Sequence, residues 1–206
     1  DAKYANFENK IIELINESEV TLDICVFYTK SKKIGEAINN ANNRGVTVRF
    51  IAGSSSLGDF PKNLDENIAT LKREEPKGQM HNKFIVIDVH SETTCKVLVT
   101  SANFTENNLE EDSNNLLIIQ DQALGKAYTL EFNEMWGSTG STPTSNSKFG
   151  TDKTDNTPHF FNIGGKAVEL YFSPSDHVEQ AINDKLKTAD NDLGFALFTF
   201  TRDLFA

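Results

Sequence analysis

Long apolar runs are missing from this 206-residue chain. Nothing approaches the roughly 18 consecutive apolar residues of a membrane-spanning helix, so no transmembrane segment is expected. A basic excess is missing too. Lys and Arg number 20 against 30 Asp and Glu, for a net charge of −10. Proteins that hold nucleic acid regardless of sequence neutralise its phosphates with basic residues, so the balance weighs against a general nuclease. It leaves room for a locally basic cleft and for lipid or small-diester substrates. Cysteine is scarce. Cys25 and Cys95 stand alone, with no C-x-x-C and no Cys/His cluster at zinc spacing, so no metal centre is expected. Cys25 lies in an apolar strand and Cys95 opens another, and a disulfide between them stays open. The first residues, Asp1-Ala2-Lys3-Tyr4, are not a leader peptide, and the compartment is not legible. The length and the 38% apolar share are enough to bury one large domain, or one and a half small ones.

The rest of the chain is organised around residues 80–88, MHNKFIVID. Phe84 to Ile87 are large and apolar, which predicts a buried strand. Side chains alternate across a strand, so His81 and Lys83 share a face and Asp88 has the opposite parity. A histidine beside a lysine at the mouth of a core strand suits chemistry at a phosphate. The imidazole attacks phosphorus or moves a proton, and the ammonium holds the non-bridging oxygens. Residues 96–100, KVLVT, read as a neighbouring strand running into Ser101-Ala102-Asn103. Ser101 and Asn103 again share a face and offer uncharged hydrogen-bonding groups.

Together these stretches spell H-x-K-x4-D followed by S-x-N, which resembles the phospholipase D superfamily. The family glycine before the serine is Thr100 here. The resemblance implies an α/β fold, a mixed sheet flanked by helices, with the active site between two such repeats. It implies a phosphodiesterase that hydrolyses or transfers at a phosphodiester through a phosphohistidine, with no metal or other cofactor. Carried over, His81 is the nucleophile, Lys83 and Asn103 stabilise the phosphoryl oxygens, and Ser101 supports them. Asp88 orients or neutralises its neighbours. In the small-nuclease branch a Glu contacts the nucleophilic His. The aligned position is Asn114, a candidate substrate-binding residue. The imidazole is then oriented by Asn114 itself or by Glu111 or Asp112, whose acidic run otherwise reads as a solvated turn.

Apolar spacing predicts a helix over 5–17, a strand over 20–28, a helix from Ser31 to Arg44-Gly45 and a strand over 46–52. Strand–helix–strand order argues for a parallel unit. The Gly53–Gly58 stretch lacks the Lys and Ser/Thr of a phosphate loop and reads as a connection. Residues 61–71 are expected to be helical, 72–78 a polar turn, 90–94 a hairpin connection, 103–109 a helical turn and 113–120 a strand. Residues 121–136 form a long amphipathic helix. Residues 1–136 thus make one full repeat, and 137–165 a Gly/Ser/Thr-rich linker or loop with a short strand at 159–163.

Residues 166–206 read as the start of a second repeat: a strand over 168–172, a helix over 177–186 and a strand over 193–201. At an offset of 171, Leu22 falls on Leu193, Phe27 on Phe198, Ile11 on Ile182 and Ile15 on Leu186. A second H-x-K motif is absent, since neither His159 nor His177 has a Lys two residues on. The expectation is a piece of a longer two-motif protein, or a chain that completes its site as a homodimer. Phospholipid is favoured over nucleic acid as substrate. An endonuclease of the same chemistry, or a module made incompetent by the missing histidine, are the alternatives.

Overall fold

The computed structural model describes residues 6–53, 63–73, 79–194, 196, 197 and 199. Six strands form one mixed sheet in the order β3-β2-β1-β4-β5-β6. They are β1 (Thr21–Val26), β2 (Thr47–Ala52), β3 (Ala69–Lys72), β4 (Lys83–Ile87), β5 (Lys96–Thr100) and β6 (Leu116–Ile119). β1, β2 and β3 run parallel, and β4 lies antiparallel to both β1 and β5.

Helices α1 (Phe7–Glu17) and α2 (Lys32–Asn43) cover one face, and α3 (Gln122–Trp136) the other. Alternation along the strands splits the core in two. Ile24, Phe50, Ile85 and Leu98 meet α1 and α2, whereas Cys25, Phe84, Val86 and Val97 meet α3. Each helix starts where a side chain satisfies a free amide: Asn6 accepts from Asn9, Ser31 from Ile34 and Asp121 from Leu124. α3 stops at Gly137, whose φ of 82° suits glycine. Its buried Phe132 and Trp136 contribute about 1.5–3 kcal/mol each by leaving water. Arg49 of β2 grips Asp23 of β1 through two hydrogen bonds of 2.6 Å, and it reaches Asn133 on α3 and the Gly140 carbonyl. The guanidinium also lies over the Phe132 ring, which satisfies a buried charge on every side.

Several expectations change. Described residues 63–68 are turns and 69–72 are a strand, not a helix. Thr70 and Leu71 pair with Phe50 and Ile51, and the sheet's demand for a partner to β2 overrides helical spacing. Residues 54–62, the turn expected over 74–78 and the last residues from 200 lie outside the described residues. Cys25 and Cys95 are both free thiols.

The stretch 137–158 is a loop but not a slack one. Lys153 is buried against Glu131 at 2.5 Å, Phe149 is in the core, and Gly140 binds both Arg49 and Trp136. β7 (Phe160–Ile163) and β8 (Lys166–Glu169) form a hairpin around Gly164-Gly165, so the predicted strand at 168–172 begins two residues early. α4 (Val178–Leu186) occupies positions that an offset of 171 assigns to α1. The described residues between 192 and 199 form no strand and are exposed; apolar residues alone do not make a strand without a sheet to join.

Candidate active site

Register brings the site residues to one edge of the sheet. Lys83, the first residue of β4, pairs with Val26, the last of β1, and Val26 pairs with Ala52, the last of β2. β5 runs antiparallel to β4, so Ser101 and Asn103 leave β5 at this same edge, and Asn114 approaches β6 from it. Beyond Lys83 the chains leaving β1 and β5 pair with each other across the end of β4. Thr29 bridges Phe104, Phe104 donates to the Tyr28 carbonyl at 2.9 Å, and Lys30 donates back to Phe104 at 2.8 Å. That crossing places Phe27 against the His81 ring, with centroids 4.9 Å apart, and fixes the backbone around Asn103. Gly53 permits it: a Cβ there would meet a Phe27 ring carbon and the Phe27 carbonyl at 2.4 Å.

Lys83 is 6% exposed. Its ammonium donates to the His81 carbonyl at 2.8 Å and sits 5.5 Å from the Phe27 ring centre. Burial lowers its pKa to about 8. A desolvated ammonium with one carbonyl and a ring face for company is poised for an anion, because an anion would return the stabilisation that water no longer gives. Desolvation and the charge of Lys83 both lower the pKa of His81, which favours the neutral imidazole, the nucleophilic form. Among the described residues the His81 ring makes no hydrogen bond.

Asn103 donates its backbone amide to Asn108 at 2.9 Å, while its own side-chain oxygen is shielded and unpartnered. Ser101 donates to Asn114 at 2.8 Å and accepts from the Asn115 amide at 2.9 Å. Asn114 also donates to the Asn108 carbonyl at 2.9 Å. Both ends of the Asn114 amide are therefore engaged in holding Ser101 and the 107–111 turn. Asp112 accepts from Asn108, and Glu111 is exposed. The imidazole packs on Phe27, and among the described residues neither Asn114 nor Glu111 or Asp112 bonds to it. Thr100, in the place of the family glycine, spends its hydroxyl locally: it donates to the Asn115 carbonyl and accepts from the Ala102 amide.

Asp88 stands apart. It ends β4 at the opposite edge, 2% exposed, with φ of 49°. Its carboxylate accepts from the amides of Glu19, Val20 and Thr21, at 2.7 Å for the shortest. It fastens the start of β1 and does not meet His81.

The sequence reading misses two features. Asn82, between the two motif residues, donates to Glu131, which is buried and paired with Lys153. Desolvation raises the pKa of Glu131. The fold also gathers Asp155, His159 and Asp176, whose ligand-type atoms lie within 4.8 Å. Spacing cannot reveal that trio, since Asp176 is far along the chain. Its members are already committed to the protein: His159 to Asp155 and the Leu170 carbonyl, and Asp176 to Ser175 and the Phe172 amide.

A cleft of about 270 Å³ opens beside His81, lined also by Met80, Phe149, Lys153 and Pro174. A larger cavity, about 760 Å³, touches Asn103 but not His81. Of the two, only the smaller cleft is lined by His81.

The sequence model described as "Cardiolipin synthase, PLD-like domain" matches residues 11–136, a span that holds all six predicted site residues. A mitochondrial cardiolipin hydrolase of Canis lupus familiaris is 25% identical over 177 residues, 84% of this chain and 66% of that protein. A phospholipase D of Rickettsia conorii is 31% identical over 121 residues, 57% of this chain and 58% of that one. The chain thus spans no more than about two thirds of these relatives. Among solved structures, NucT from Helicobacter pylori aligns with a TM-score of 0.55 at 22% identity, over 64% of this chain and 87% of that one. The phospholipase D family member Nuc from Salmonella typhimurium aligns over the same shares with a TM-score of 0.51 at 17% identity. These two likenesses concern the fold.

Proposed function

The chain belongs to the phospholipase D-like family, and from that premise we propose that it is a phosphodiesterase whose nucleophile is His81. The observation that carries this reading is the pairing of a neutral-leaning imidazole with a desolvated ammonium at one sheet edge. His81 attacks phosphorus and the leaving oxygen departs, so the P–N bond forms as the P–O bond breaks. Lys83 compensates the charge gathering on the phosphoryl oxygens, and Asn103 adds its amide. Ser101, held by Asn114, supports the same side. A second motif histidine protonates the leaving oxygen and then activates water or an alcohol. It comes from a homodimer mate or from a second half. Residues 166–206 are read as the beginning of that second repeat. Asp88 acts through the fold.

The net charge of −10 supports a phospholipid or another compact diester over long nucleic acid. The test is hydrolysis of a chromogenic phosphodiester in EDTA by this chain and its His81→Ala variant. Turnover that survives EDTA and is lost in the variant is expected. Equal turnover in both would remove His81 from the mechanism, and no turnover in either would favour a module lacking its second histidine.

A further inference from the structure

His81 stands before the sheet begins. β4 starts at Lys83, so the proposed nucleophile precedes the ladder and is exposed. Side chains therefore place it. Phe27 packs on its ring, and the Lys83 ammonium holds its carbonyl. The residue between the two is held from the other face. Asn82 has the parity of Phe84 and turns towards α3. There its side-chain amide donates to Glu131 Oε1 at 3.2 Å.

The same oxygen accepts from Lys153 at 2.5 Å, and the Lys153 and Glu131 side chains are 3% and 1% exposed. Lys153 comes from the loop after α3, beyond the family-matched span, and it lines the cleft beside His81. Stability does not account for this trio, because apolar residues of similar volume usually serve a core at least as well as a buried ion pair. Nor does the pair tune the charges of the site. Burial and Lys83 are what act on His81, and burial and Cys25 are what act on Lys83. Lys153 neutralises Glu131 locally. An apolar trio could not supply a directed hydrogen bond on the residue that joins His81 to Lys83.

We propose that Asn82, Glu131 and Lys153 are positioning residues, a buried clamp that sets the pose of His81 relative to Lys83 and has its far end in the loop after α3. The catalytic meaning of that pose rests on the function proposed above. The clamp makes the loop a working part of the site, although the motif does not reach it.

Asn82→Leu keeps the volume and removes the hydrogen bond. A Glu131→Leu, Lys153→Met pair removes the other end without stranding a buried charge. On bis(p-nitrophenyl) phosphate each is expected to lower kcat by about tenfold to a hundredfold with KM little changed, since about 1 Å of misplacement costs up to that much. The triple variant should fall no further than either alone, because the same clamp is broken in each. Falls that multiply, or an intact kcat in Asn82→Leu, overturn the clamp. The imidazole gives a second readout that needs no turnover. In proton spectra of the four histidines, the signal missing from His81→Ala identifies His81, which should be shifted by the facing Phe27 ring. Asn82→Leu and the Glu131→Leu, Lys153→Met pair should both move that signal towards free histidine and leave His90 in place. Asn82→Ala serves should the Leu variant fail to fold. A His81 signal unmoved in the folded variants overturns the proposal whether or not the chain turns over. Retained turnover in His81→Ala would instead sink the nucleophile assignment, and the spectra would then decide the clamp.

Discussion

Replacing Lys83 by methionine should make the protein more stable and remove its activity. The ammonium is 6% exposed, and burial takes its pKa from 10.5 to about 8. That is a fall of about 2.5 units, or about 3 kcal/mol against the charged form at pH 7. Methionine keeps the length and loses the charge. It also loses the 2.8 Å hydrogen bond to the His81 carbonyl, at a cost of about 1 kcal/mol. The net gain at pH 7 is about 2 kcal/mol, which corresponds to a rise in Tm of roughly 4–8 °C for a chain of this size. The sign with pH follows from the depressed pKa. The folded chain carries a penalty while Lys83 is charged, and the penalty fades as pH climbs from about 8 towards 10.5. At pH 10 the advantage of methionine should shrink to about zero. Urea denaturation of both proteins at the two pH values reads this directly. Activity should fall by about a hundredfold or more at either pH. A methionine variant less stable than wild type at pH 7, or an advantage indifferent to pH, would refute the picture of Lys83 as a buried charge kept at a cost in stability.

Three further outcomes follow from the contacts. Asp88→Ala strands three amides at the start of β1 and should cost about 3 kcal/mol in denaturant, with kcat/KM of the folded fraction unchanged; a selective loss of turnover would return Asp88 to the chemistry. Glu131→Gln leaves buried Lys153 without its counter-charge and should cost about 3–5 kcal/mol, whereas a double Glu131→Gln, Lys153→Met exchange recovers much of that; a double-mutant cycle showing no coupling would disprove it. Gly53→Ala pushes a methyl into Phe27 and should cut kcat/KM, because Phe27 packs both His81 and Lys83; wild-type activity at unchanged stability would count against that packing.

The parts of the fold set by spacing were legible. The helix start at Ser31, the parallel β1–β2 unit and the strand holding Lys83 all follow from local pattern. β3 was not legible, because its four residues become a strand only where β2 offers an edge. The predicted strand over 193–201 failed for the converse reason: its described residues have no sheet to join. At the site, the motif pointed to His81, Lys83, Ser101 and Asn103 together, and register brought them to one edge. Phe27, Glu131 and Lys153 carry no motif. They enter through packing between distant segments, which a linear pattern does not encode.

Seven residue steps lead from His81 to Asp88, and at about 3.3 Å per step they cross the sheet from one edge to the other. The motif's fixed interval therefore works as a gauge of strand length. One end is clamped into the amides of Glu19 to Thr21, and the other end sets how far the imidazole stands clear of the sheet. A residue added or lost between Phe84 and Ile87 would leave the clamp empty or draw the histidine below the rim, and it would also turn every following side chain to the wrong face. Invariance of that interval then measures the span of a β-strand, and a chain that kept the interval while losing its histidine would keep the shape of the family without its reaction.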